Sequence, residues 1–280
     1  MVNPSLGYSV DREYLAREHG KALAEGTPEA LAGFLAKYGN VEIGLALRSD
    51  RWRGADFWTK CEEAHTLEDI LQLAEVITVG IDGGGLDDLL GLAVVGRTPA
   101  GEWLAWSHAW ADRGVLTRRK AIAAQLLDYE KDGDLTLVND IGEDISGLAA
   151  TVKKIKDSNL LYKIGVDPAG LGIILETLAN DAGINIDNDT IGISQGWRLG
   201  GTIKLTERRL VEGILKPAKS PMMRWNVSNA RIEPKGNAIL ITKYASGTGK
   251  IDALMALFSA VQLMASNPEK AAKEFGIHFL

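Results

Sequence analysis

Val76-Ile77-Thr78-Val79-Gly80-Ile81-Asp82-Gly83-Gly84-Gly85 is the stretch on which the reading of this chain turns. An apolar, β-branched run reads as a buried strand; a carboxylate closes it, and three glycines make the turn that follows. Two more strand-like runs come next, at 89–97 and 102–110, separated by Gly/Asp and Thr-Pro-Ala-Gly turn chemistry. Three such runs in a row predict an antiparallel meander. Downstream the texture alternates. Helices are expected at 118–129, 145–156, 171–182, 202–215 and 251–265, and strands at 135–138, 160–167, 191–194 and 238–242. Upstream, residues 1–75 read mostly helical, with candidate helices at 11–20, 27–38 and 56–64; Thr27-Pro28-Glu29 places a cap ahead of proline at a first helical position.

Two more carboxylates sit where Asp82 sits, at the ends of elements. Asp167 closes the apolar run 160–166 ahead of Pro168 and Gly170, and Asp252 stands at the mouth of the pattern Lys250-Ile251-Asp252-Ala253-Leu254-Met255-Ala256-Leu257. Each has an ordinary explanation. Asp82 serves a turn, and Asp167 or Asp252 caps a helix. Yet a carboxylate on an otherwise apolar helix face needs a counter-charge, and acids at two strand ends and a helix start can converge from far apart in sequence. Oxygen-only ligands of this kind suit Mg²⁺ or Mn²⁺ rather than zinc. The reading is metal-dependent phosphodiester chemistry.

Three meandering strands followed by alternating helices and strands is also the order of the RNase H-like fold: an α/β mixed sheet, three antiparallel strands then parallel ones, flanked by helices. That fold carries its acids on the first strand, the fourth strand and a late helix, where Asp82, Asp167 and Asp252 fall. The segment from Val79 to Leu89 resembles the first nuclease motif of the large terminase subunit of tailed bacteriophages. Gly165-Val166-Asp167-Pro168-Ala169-Gly170 is similar to the second motif and Lys250-Ile251-Asp252 to the last. Gln195-Gly196-Trp197, Trp225-Asn226-Val227-Ser228-Asn229-Ala230 and Lys243 look like further landmarks, so the resemblance spans roughly residues 40 to 265. It implies a two-metal endonuclease using Mg²⁺ or Mn²⁺ at Asp82, Asp167 and Asp252, with Asp82 bridging. It adds Asp88 as an extra ligand or water contact, and Lys243 as a phosphate contact. It further implies double-stranded DNA as substrate, viral genome packaging as the setting, and the host cytoplasm as the location. The portal, the small terminase subunit and a packaging ATPase domain become the expected partners. The organisation expected is a helical linker at 1–70 ahead of a nuclease domain at 71–280.

Composition constrains the rest. The chain has 280 residues, 46% of them hydrophobic, enough for one large core or for a core plus a small appendage. No apolar run approaches the roughly 20 residues of a membrane helix, so no membrane partner is expected. The single Cys61 excludes an internal disulfide. Net charge is −6, but between Arg198 and Lys250 eleven Lys/Arg face three acids, a local +8 that leaves −14 elsewhere. A basic segment beside an acidic cluster suits a metal-using nuclease, and Arg208, Arg209, Lys216 and Lys219 are its candidate DNA contacts. The plain alternative is a solvated face. His19, His65, His108 and His278 show no pairing pattern and read as structural, and the seven tryptophans read as core.

Two rivals share some of these features. A junction resolvase uses a similar acid set on the same fold. Gly80-Ile81-Asp82-Gly83-Gly84-Gly85 also resembles the phosphate loop of actin-like and sugar-kinase ATPases, but that reading needs a second loop, for which Gly165–Gly170 is a poor match. A Walker-type loop is absent: Tyr244 to Ile251 has Tyr where the first Gly belongs and Ile where the hydroxyl belongs.

Overall fold

The computed structural model describes residues 11–26, 28–39, 50–85, 87–140, 142–167, 172–236, 238–242 and 249–271. The chain divides into two compact units, Met1–Arg51 and Trp52–Leu280. The first holds helices α1 (Arg12–Glu25) and α2 (Pro28–Gly39). Asp11 caps α1 by accepting the Tyr14 N–H at 2.6 Å, Gly26 ends it in the left-handed region, and Tyr14 and Tyr38 join the two helices through their hydroxyls at 2.9 Å.

The second unit begins with α3 (Ala55–Cys61) and α4 (Leu67–Leu73), then enters the meander β1 (Val76–Gly83), β2 (Leu90–Arg97) and β3 (Trp103–Asp112). After it come α5 (Val115–Arg118), α6 (Ala123–Asp132), β4 (Leu135–Val138), α7 (Glu143–Asp157), β5 (Leu161–Val166), α8 (Gly172–Ala182), α9 (Ile186–Asp189) and β6 (Thr190–Gly192). The chain continues through α10 (Gly200–Val211), β7 (Leu215–Pro217), α11 (Pro221–Asn229), the hairpin β8 (Ile232–Lys235)–β9 (Ala238–Ile241), and α12 (Asp252–Met264). The main sheet runs β4-β3-β2-β1-β5-β6, with β7 added beside β3. β1, β2 and β3 are antiparallel neighbours, while β5 pairs with β1, β6 with β5 and β4 with β3 in parallel. This is the mixed RNase H-like sheet that the spacing predicts.

α12 lies on one face of the central strands, and glycines let it come close. A Cβ at Gly80 would collide with the Ala256 carbonyl oxygen; at Gly91 it would sit 2.8 Å from the Ala253 nitrogen, and at Gly165 3.2 Å from the Ser259 oxygen. Thr78 donates its hydroxyl to Ala260 O at 2.9 Å from the same face. Every residue of α12 is buried except Gln262, so the helix is apolar all round because both sides are covered. The other face packs Ile77, Val79, Ile81, Leu92 and Val94 against Leu148, Val152 and Ile155 of α7 and Leu178 of α8. No helix among the described residues is long and apolar enough to cross a membrane.

Several expectations shift. The larger unit starts at Trp52, not near residue 70, because Trp52 and Trp58 pack in the core with Phe258, the Trp52 and Phe258 rings 5.3 Å apart. The helix expected at 202–215 ends at Val211. Gly213, with φ of 67°, turns the chain and the next residues form β7. α4 and α11 went unforeseen, being one to three turns long and carrying no extended periodicity, although Thr66 with Asp69 closes a full capping box at α4. Trp103 and Trp110 are core, but Trp197 is not. The 27–38 helix begins at Pro28; Thr27 lies outside the described residues.

Gly80→Ala is expected to lower unfolding free energy by about 2–3 kcal/mol or more, since backbone must move to admit the methyl. Gly201→Ala, which meets open space in α10, is expected to be neutral or stabilising by up to about 1 kcal/mol; urea titrations of the two variants check the contrast.

A second outcome concerns His108, which lies between Trp106 and Trp110 on β3 and contacts the Thr136 hydroxyl at 2.9 Å. Burial pushes its pKa down to about 4. The unfolded chain therefore binds a proton that the folded chain refuses between about pH 6.5 and 4. Stability contributed by the neutral ring is full above pH 6.5 and is lost as pH falls toward 4. His108→Gln should flatten the pH dependence of unfolding free energy in that window, measured by urea titration at several pH values.

Candidate metal centre

Strand register decides where the acids go. Asp82 lies opposite Gly91 of β2, and in the parallel β1–β5 pair Ile81 lies opposite Val166. Asp82 and Asp167, one residue further on each, therefore stand side by side at the carboxyl edge of the sheet. Alternation sets their face. Thr78 and Gly80 meet α12, so Asp82 points to that side; Gly165 meets Ser259 of α12, and Asp167 continues the same series. Asp252 is the first residue of α12, and its Oδ1 would be 3.1 Å from a Cβ placed on Gly83. Asp252 is 0% exposed and Asp82 7%, while Asp167 is half-buried. Three carboxylates thus share one end and one face of the sheet, and the helix N-terminus favours the negative charge of Asp252.

The turn after β1 keeps the space over them open. Gly83, Gly84 and Gly85 all have positive φ, 87°, 105° and 119°, a run of conformations that only glycine adopts without strain. Two cations pin the far side of this turn. Lys250, 7% exposed, donates to Asp88 Oδ1 at 2.7 Å and to the Asp87 carbonyl at 2.8 Å. Arg118 reaches Asp87 at 2.5 Å and Asp112 at 2.6 Å. Asn229, at the end of α11, donates to the Lys250 carbonyl at 3.0 Å and so steadies the backbone two residues ahead of Asp252. The landmark 225–230 acts as a prop for the last acid.

Among the described residues no three His, Cys, Asp or Glu stand together as a ready-made metal cluster. The acids share an end and a face without closing to coordination geometry. Their chemistry nonetheless fits a hard divalent cation: all donors are carboxylate oxygens, and a side chain at Gly83 would fill the space beside Asp252. Asp88, expected as a further ligand, is engaged by Lys250.

The candidate DNA contacts are elsewhere. β7 pairs with Trp103–Ala105, and Trp103 lies opposite Arg97, which lies opposite Val76. Lys216 is therefore at the end of the sheet away from Asp82, about 20 Å along a strand. It bridges Glu63 and Glu102 at 2.8 Å each, which pushes its pKa up to about 12. Arg208 and Arg209 both pair with Glu212, and the Arg209 guanidinium lies 4.9 Å from the Trp103 ring centroid. The Lys219 amide bonds Glu63 at the same end. Lys243 lies outside the described residues. The local surplus of cations is drawn down by acids from other parts of the chain, Glu62, Glu63, Glu102 and Asp88, which a window count omits. Arg118, which follows β3, does reach the acid end through Asp87 and Asp112, and it opens the consecutive basic triplet Arg118-Arg119-Lys120.

With this geometry the chain takes the fold of the phage terminase nucleases. It superimposes on the crystal structure of the HK97 bacteriophage large terminase with a TM-score of 0.64 at 18% identity, covering 93% of this chain and 52% of that one. It thus spans about half the length of the HK97 protein. Further matches are the large terminase nuclease of thermophilic phage G20c with bound magnesium (TM-score 0.49, 12% identity, 77% of this chain and 98% of that one) and the nuclease domain of the bacteriophage SPP1 large terminase with bound Mn (0.41, 14%, 72% and 94%). No family model matches the chain, and no curated protein does.

The Lys250–Asp88 pair, its lysine buried and its carboxylate half-buried, should be strongly coupled. In a double-mutant cycle with Lys250→Met and Asp88→Asn, a coupling energy of about 1–3 kcal/mol is expected, with either single variant costing more than the pair together, since each leaves a charge uncompensated. Additive effects would show that the pair does not hold the turn.

Proposed function

We propose that the chain is a metal-dependent endonuclease that cuts double-stranded DNA during viral genome packaging, the nuclease part of a large terminase. The observation that supports this reading most is the placement of Asp82, Asp167 and Asp252 at one end and one face of an RNase H-like sheet, beside a turn of three positive-φ glycines. Asp82, with Asp167 on one side and Asp252 on the other, would together with them hold Mg²⁺ or Mn²⁺ ions through its carboxylate oxygens. Such ions, when bound, lower the pKa of an attacking water and offset charge on the departing 3′ oxygen. The chain's own part is positional. Gly83–Gly85 let a phosphate come close to the backbone, and Lys250 and Arg118 hold the turn at its far side. Arg119 and Lys120 attract phosphate without reading bases, so sequence preference is low. A packaging ATPase domain, the small terminase subunit and the portal are its partners, and the host cytoplasm its location.

Plasmid cleavage tests this directly. Nicking and linearisation are expected with mM Mn²⁺ or Mg²⁺, none with EDTA, and only background with Asp82→Asn, Asp167→Asn or Asp252→Asn in a folded chain. Mn²⁺ should also raise the melting temperature, because a ligand at a hundred times its Kd stabilises the native state by about 2.7 kcal/mol. Asp82→Asn should lose that rise. Wild-type cleavage by an Asn variant removes that residue from the site, and equal thermal shifts in wild type and variant place the ions elsewhere.

A further inference from the structure

Trp197 is 57% exposed, while Trp52, Trp58, Trp103 and Trp110 are buried in the core. Its position is informative. Ile193 donates its amide to Val166 O at 2.7 Å, which sets Ile193 level with Asp167, and Trp197 follows only four residues later, on the short helical turn Gly196–Leu199. The Arg198 guanidinium lies over its ring, 5.3 Å from the centroid. A second apolar side chain, Ile173, is 63% exposed at the start of α8, and its neighbour Ile174 would touch a Cβ on Gly84 at 3.7 Å, so α8 begins beside the glycine turn. Gln195, two residues ahead of Trp197, has both side-chain amide atoms shielded from solvent and without a hydrogen-bond partner.

A large aromatic left in water costs hydration free energy unless something covers it, and a cation on its ring narrows what that is. A flat π-face beside a guanidinium matches a base and the phosphate next to it. We propose that Trp197 is a stacking platform for a DNA base that has left the helix near the cut, with Arg198 on the adjoining phosphate. The inference rests on the nuclease reading and deepens it: the favoured substrate is duplex DNA with an unpaired base or frayed end, because unstacking is already done there. Trp197 then anchors the strand on the β5–β6 side of the acids. Arg118, Arg119 and Lys120 stand on the β3 side.

The test is binding in EDTA, where cleavage is silent, of two fluorescein-labelled duplexes that differ by one unpaired central base. Wild type should bind the unpaired duplex about tenfold more tightly, with quenching of tryptophan emission. Trp197→Ala should lose the preference and the quenching at an unchanged melting temperature, and Trp197→Phe should keep most of the preference. Arg198→Gln should weaken both duplexes and reduce the salt slope by about one. Wild-type affinity and preference in Trp197→Ala overturn the proposal and leave the ring to a protein partner. The nuclease reading fails on a different result: no metal-dependent plasmid cleavage and no DNA binding by the wild-type chain, which also ends this proposal.

Discussion

The close seating of α12 on Gly80, Gly91 and Gly165 is the constraint on which the rest depends. Helix axes usually stand about 10 Å from a packed layer; here backbone meets backbone because three strands offer no side chain at the crossing. That approach puts the first residue of the helix at the level of the strand ends. With alanine at any of these positions the helix must lift, and Asp252 would move away from Asp82 first. The site is therefore set by packing below it more than by contacts within it.

The acids were legible because each ends an element, and element ends are what a sequence marks best: an apolar run, a carboxylate, then glycine or proline. Asp82, Asp167 and Asp252 could be named before any geometry, and parallel pairing of β1 with β5 explains why two of them stand on neighbouring strand ends. Where the basic segment lies was not legible, for a complementary reason. A helix was expected to run up to residue 215, just ahead of Lys216, but it ends at Val211, Gly213 turns the chain, and Lys216 lies on β7 beside the start of β3. Which end of a sheet a short strand reaches follows from long-range pairing, and nothing local to residues 208–219 records it. The partners that neutralise those cations are also distant in sequence.

Similar limits explain the tryptophans and the unit boundary. A tryptophan is core by composition alone, and only the path of the chain after β6 leaves Trp197 in solvent. Trp52 and Trp58 belong to the larger unit because the Trp52 ring meets Phe258, some two hundred residues downstream, and Trp58 packs against Trp52 in the same core. Asn229 and Lys250 belong to the same lesson. Both lay within stretches noted for their resemblance, yet their work is to steady the backbone around the acids, a role visible only once α11 and the glycine turn are neighbours.

The contact between β1 and α12 joins residues far apart along the chain: Thr78 and Ala260 are separated by 182 positions. During synthesis at roughly 5–20 residues per second, β1 emerges about 10–35 s before the helix that covers it. Throughout that interval one face of the central strands, glycine-lined and unable to cover itself with side chains, is open. The α7–α8 side can condense as soon as α8 is made, some seventy residues before α12, so the face away from Asp82, Asp167 and Asp252 matures first. The face that carries Asp82 and Asp167 is closed only when α12 is made, and until then Asp252 is missing from that end of the sheet.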